Sequence, residues 1–156
     1  MDMKKKLFTL FFLGWLASCK NAPKQEQGRT DGFNPVLKNR EDSLFHDVME
    51  GHDMGMARMG KISRYLSQVQ KTLDSLNKLP DSKVDTKYQQ FLIDLQKELN
   101  YADYGMNTWM EEFKVDSAKG DKEKRIQYLE AEKVKIQKVK ESIIGSLKRA
   151  DSLFGK

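Results

Sequence analysis

The chain has 156 residues, 28 Lys and Arg against 23 Asp and Glu, and a single cysteine, which is room for one ordinary domain with appendages. A formal charge of +5 is too mild to imply a nucleic-acid partner. One cysteine excludes both an internal disulfide and a multi-thiolate metal site, so the stability of the domain has to come from packing.

The N-terminus reads in three zones: basic residues Lys4, Lys5 and Lys6, an apolar run from Leu7 to Leu16, and the small residues Ala17 and Ser18. The run is about ten residues, whereas a membrane-spanning helix needs roughly 20, so residues 1–18 are expected to be a cleaved signal peptide. Leu16-Ala17-Ser18-Cys19 resembles the lipobox of bacterial lipoproteins, which implies diacylation of the Cys19 sulfur, cleavage before it and acylation of the new amine. A single myristoyl-length chain holds a protein only marginally, so several acyl chains at Cys19 make a stable anchor without a spanning helix. Removing residues 1–18 takes away Lys4, Lys5, Lys6 and Asp2 and leaves 25 basic against 22 acidic side chains, a balance of +3.

Residues 19–40 are expected to form the lipidated cysteine and a flexible tether, because this stretch is polar, carries Pro23, Gly28, Gly32 and Pro35, and shows no sustained apolar period. About 20 such residues span roughly 25 Å as a coil, enough to clear the lipid headgroups.

Three helices are predicted in residues 41–156. The first, about 41–78, carries Phe45, Val48, His52, Gly55, Met59, Ile62, Leu66, Val69, Leu73 and Leu76 at alternating spacings of three and four, starts at Asn39 with Asp42 three residues on, and stops at Leu79-Pro80. The second, about 82–114, is signalled by Ser82 with Asp85 and then Val84, Tyr88, Phe91, Leu95, Leu99, Ala102, Met106, Trp109 and Phe113. The third, about 121–153, follows the break at Asp116 to Gly120 with a sparser stripe of Leu129, Ile136, Val139, Ile143, Leu147, Ala150 and Phe154. Its Lys122, Lys124, Lys133, Lys135, Lys138 and Lys140 alternate with Glu123, Glu130, Glu132 and Glu141, the pattern of a solvated face. No one stripe buries itself alone, so the expected fold is all-α: an elongated antiparallel three-helix coiled-coil-like bundle behind a signal peptide and a flexible tether.

One cluster is chemically unusual. Beyond the signal peptide the methionines are Met49, Met54, Met56, Met59, Met106 and Met110, and they fall in two windows together with His46, His52 and Trp109. At about 100° per residue, Met49, Met56 and Met59 project on the side of His52, while Met54 points away. If the first turn centres near Asp81, His52 lies 29 residues before it and Met110 29 after, so antiparallel packing sets them at one level, and Met56 matches Met106 likewise. Arg125 and Tyr128 are candidates for a third wall. Thioether sulfur with neutral imidazole suits Cu(I), with His52, Met49, Met56, Met59, Met106 and Met110 as ligands and Trp109 as a shield. Two other readings stand beside it: methionine as flexible core filling next to Gly55 and Gly105, and a pocket for a planar or lipid-like molecule, haem included.

Other chemistries lack support. His46-Asp47 and His52-Asp53 are adjacent helical pairs that diverge by about 100° and are expected to be poor acid–base dyads, with both aspartates facing solvent. The histidines are six apart, not the four of a helical zinc site, and there is no glycine-rich phosphate loop behind a strand and no serine elbow, so no catalytic residue is assigned and no enzyme is expected.

The lipobox, Met49-x-x-His52-Asp53-x-x-Met56-x-x-Met59-Gly60, Gly105-Met106-x-x-Trp109-Met110-x-x-Phe113-Lys114 and Tyr128-Leu129-x-x-Glu132-x-x-Lys135-Ile136-x-x-Val139 together resemble a family of small Bacteroidota envelope lipoproteins, often labelled "viral A-type inclusion protein". The resemblance covers nearly the whole chain and implies an anchored envelope protein; the label carries no mechanism and transfers no catalytic residue. In that phylum an acidic stretch after the lipidated cysteine resembles a surface-export signal, and Lys20-Asn21-Ala22-Pro23-Lys24 has no acid, which points to the outer membrane facing the periplasm. The expected function is a non-enzymatic cell-envelope lipoprotein acting as a helical interaction or structural module. Its expected partners are the membrane, through lipid at Cys19, and an envelope protein. The alternative is a periplasmic Cu(I) carrier or buffer using the Met and His cluster.

Overall fold

Residues 37–155 are described by the computed structural model; the signal peptide expected at 1–18, Cys19 and tether residues 20–36 lie outside the described residues. The fold is all-α, and it is built from α1 (Arg40–Leu76), one 3-10 turn (Asp81–Lys83), α2 (Thr86–Glu112) and α3 (Lys122–Phe154). No helix among the described residues is long and apolar enough to cross a membrane.

The helix ends follow the chemistry of their caps. The Asn39 side chain accepts from the Asp42 backbone N–H at 3.0 Å, satisfying one of the four donors a helix start leaves without partners. α1 closes at Leu76, two residues before the expected 78, in tight turns such as Leu79 N–H to Leu76 O (3.0 Å) ahead of Pro80. The second helix starts at Thr86, not 82. Its cap is Asp85, whose carboxylate accepts from the N–H groups of Lys87 (3.0 Å) and Tyr88 (3.2 Å), while Ser82 sits in the 3-10 turn and Val84 is extended. The Ser82 and Asp85 pair read as the opening of a helix is therefore a turn followed by the true cap. Asp121 caps α3 through the Lys124 N–H (3.1 Å).

Cross-helix contacts define the topology. Residue numbers run oppositely across α1 and α2, from Gln70 with Gln96 (2.7 Å) to His52 with Trp109 (5.6 Å between rings). They run oppositely again across α2 and α3, from Arg149 on Glu98 to Tyr128 stacked on Phe113. α1 and α3 run together, as Lys133 with Asp47 (2.6 Å) and Lys61 with Asp151 (2.8 Å) demonstrate. The three helices form one bundle around a core of Val48, Ile62, Val69, Leu92, Leu95, Leu99, Met106, Ile136 and Ile143, all essentially free of solvent.

The buried stripes differ in part from the expected ones. On α1, Leu44, Gly51 and Tyr65 are buried, whereas Phe45, His52, Met59 and Leu66 are only half-buried. The seam read from three-and-four spacing traces the flank toward α2; because α1 packs on two helices, the face it buries is centred between them and reaches residues about 100° further round. On α3 the gaps in the sparse stripe are filled by Arg125, Glu132 and Ser146, all buried. Glu132, assigned above to a solvated face, is a correction: it is 3% exposed.

Candidate functional site

The methionine and histidine windows meet near the end of the bundle where α1 begins and α2 ends. Gly55 sets their spacing. A Cβ built there would collide with the terminal methyl of Met106 and stand 3.3 Å from Ile143 Cδ1, so the missing side chain is what lets Met106 lie across α1. Met106 is completely buried, and its sulfur is enclosed in the core. Of the expected ligands it is therefore the one most plainly engaged in packing.

The others lie progressively further out. Met59 is half-buried against the core, Met49 is half-buried, and Met56 and Met110 are 39% and 38% exposed. Met110 is one turn beyond Met106 on α2, which touches Gly55, so it stands opposite the stretch of α1 that carries His52. Met56 is one turn beyond His52 on the same flank. The His52 side chain is 21% exposed, its ring 5.6 Å from that of Trp109 and tilted by 38°. Trp109 is buried and continues into a column of stacked rings, Phe113 at 4.7 Å and then Tyr128. The Tyr128 hydroxyl closes the column by accepting from the Lys114 N–H at 2.7 Å.

His52 is held by its neighbour. Its Nδ1 lies 2.8 Å from Asp53 Oδ1, so the adjacent pair expected to diverge is hydrogen bonded. The backbone directions do diverge, but Asp53 is 73% exposed and its short side chain swings back to reach the ring. A carboxylate only accepts, so Nδ1 donates, and in the neutral ring Nε2 then carries the lone pair. His46 and Asp47 make no such bond, standing 3.9 Å apart.

Arg125, expected as a third wall of the cluster, has a structural tie as its role, and two further features escaped the sequence reading. Arg125 is buried, with its guanidinium on Glu41 (3.2 Å) and the Ser117 carbonyl (2.9 Å) and packed over the rings of Phe45 and Tyr128, so it ties the start of α1 to the α2–α3 loop. Among the described residues, Trp109 Nε1 and Glu132 Oε2 are buried without a hydrogen-bond partner, although Glu132 Oε1 accepts from Lys135 at 2.8 Å and that bond holds the lysine pKa above its ordinary value. His46, Asp47 and Glu50 bring three potential metal-ligand atoms within 4.8 Å of one another; the i, i+4 spacing of His46 and Glu50 was the available signal. Asp47 in that group is already bound to Lys133.

On the opposite flank, α2 and α3 leave a groove of about 200 Å³ between Trp109, Gly105 and Val139, edged by Tyr101 and Tyr104 at 70% and 68% exposure and by Lys135 and Lys138. Fold and site together define an all-α three-helix bundle with a methionine and histidine face at one end. No family model, curated protein or solved structure matches the chain.

Proposed function

We propose that the chain is a non-enzymatic lipoprotein of the cell envelope, anchored through Cys19 in the outer membrane facing the periplasm, whose bundle is an interaction or structural module. The observation that carries the module reading is the α2–α3 groove with Tyr101 and Tyr104 at its edge. Tyrosines offer a large apolar body and a polar tip at little conformational cost, which is why protein interfaces are enriched in them. The anchor reading rests on Leu16-Ala17-Ser18-Cys19 behind the basic and apolar N-terminus, and the resemblance to small Bacteroidota envelope lipoproteins agrees with it.

A photo-crosslinking residue at Tyr104 should capture one defined envelope protein in cells, and the same residue at the exposed Ser63 of α1 should not. Equal capture from both sites, or none from either, would remove the module reading. Cys19→Ala should abolish acyl labelling and signal removal; processing that continues unchanged would remove the anchor reading.

A second reading, a periplasmic Cu(I) carrier or buffer, is favoured by the hydrogen bond between His52 Nδ1 and Asp53. Metal-binding histidines usually donate their second ring nitrogen to a carboxylate or carbonyl, which fixes the tautomer and makes the ligating nitrogen more basic.

A further inference from the structure

This inference rests on the soft-metal reading and narrows it to a site. We infer that His52 Nε2, Met56 Sδ and Met110 Sδ form a rim site for a monovalent soft cation, Cu(I) or Ag(I), at the partly exposed edge where α1 meets the end of α2, with Met106 behind it as packing and not as a ligand.

Gly55 fixes where α1 and α2 meet. Because it admits the methyl of Met106, the level of the two helices is set there, and Met106 is spent in the core. One turn toward the end of the bundle, Met110 on α2 stands opposite His52 on α1, and Met56 lies one turn from His52 on the same flank. These two methionines are 39% and 38% exposed, so their side chains meet solvent as that of Met106 does not. His52 is partly exposed, faces the end of α2 through Trp109, and has Nδ1 tied to Asp53, which in the neutral ring leaves Nε2 as the acceptor.

The donor set decides the cation. Two thioethers and one neutral imidazole are soft, uncharged ligands that select Cu(I) over zinc, magnesium or calcium, and the Asp53 carboxylate behind the ring balances a single positive charge. The His46, Asp47 and Glu50 group is the contrasting case: its oxygen-rich donors suit harder divalent ions, and Lys133 already occupies Asp47.

The test is anaerobic titration of the full chain, purified in detergent and carrying Cys19→Ser so that no thiol competes, with Cu(I) against a chromophoric chelator and with Ag(I) as the redox-inert control. One equivalent should bind. Met56→Leu with Met110→Leu, volume-conserving changes at partly exposed positions that leave the circular-dichroism melt intact, should abolish that equivalent. Asp53→Asn should weaken it by about tenfold or more through the histidine it orients. Met106→Leu should keep the equivalent while lowering the melting temperature. Failure of the parent chain to bind either ion overturns the site together with the metal reading. Binding that survives the Met56 and Met110 pair but is lost with Met106→Leu, or with His46→Ala, overturns this site and leaves the metal reading standing.

Discussion

Met106 of α2 lies with its terminal methyl in the space that a side chain on Gly55 of α1 would need. In Gly55→Ala the flexible end of Met106 has to move and Ile143 has to give slightly, while alanine favours a helix interior over glycine by about 1 kcal/mol, so the net destabilisation should be small, about 0–2 kcal/mol. Met106→Ala alone should cost about 2–5 kcal/mol through the cavity it leaves. The two changes together should cost less than their sum, since the new methyl fills part of that cavity. Urea unfolding of the four-member cycle measures the coupling; strict additivity would show that the two residues do not share this space.

Glu132 is buried with one carboxylate oxygen unpartnered, and its ion-pair partner Lys135 is half in water. Removing the glutamate strands no buried charge. Glu132→Met should thus leave stability unchanged or raise it by about 1–3 kcal/mol, as expected when a poorly satisfied buried ion is replaced by an apolar side chain of similar size. A clear loss of stability in thermal unfolding would mean that the carboxylate makes an interaction worth more than its desolvation.

Arg125 is the opposite case, a buried cation with its donors on Glu41 and the Ser117 carbonyl and its flat face over two rings. Arg125→Ala should cost about 2 kcal/mol, from the bonds lost and from the packing of its stem. Arg125→Lys should recover only part of this, because an ammonium lacks the planar fork that reaches two acceptors at once. Amide exchange should locate the damage at the start of α1 and in the α2–α3 loop.

Asp151 accepts from Lys61 at 2.8 Å and from the Tyr65 hydroxyl, and these bonds, that from Lys61 first, hold its carboxyl below the ordinary carboxylate value. The same bond to Asp151 raises the Tyr65 hydroxyl above its ordinary 10.0. A lowered carboxyl contributes stability that is complete above the unfolded value and disappears as pH falls through the lower folded value; a raised phenol contributes stability that is complete below about 10 and disappears as pH rises through the higher folded value. The urea midpoint should accordingly decline at both ends of the pH range. Asp151→Asn should flatten both limbs, and parallel curves for the two proteins would refute the assignment.

Much of this protein was legible from the order of its residues. Apolar groups recurring at 3.6-residue intervals, Asn39 before Asp42, Pro80 and the break at Gly120 mark three helices, and short connections force antiparallel neighbours. The level of His52 against the end of α2 also follows from counting outward from the first turn, and His52 does meet Trp109. What counting does not supply is depth. Six methionines look alike in one dimension, yet only the register and the gap at Gly55 decide that Met106 is enclosed while Met56 and Met110 reach solvent. Nor does a hydrophobic pattern reveal Arg125 and Glu132 as interior, because a charged residue enters a core only where another element brings it a partner or covers it, and those partners are distant in sequence or a rotamer away. The bond between His52 and Asp53 is of the same kind: backbone directions set the two apart, and side-chain torsions, settled by the tertiary surroundings, bring them together.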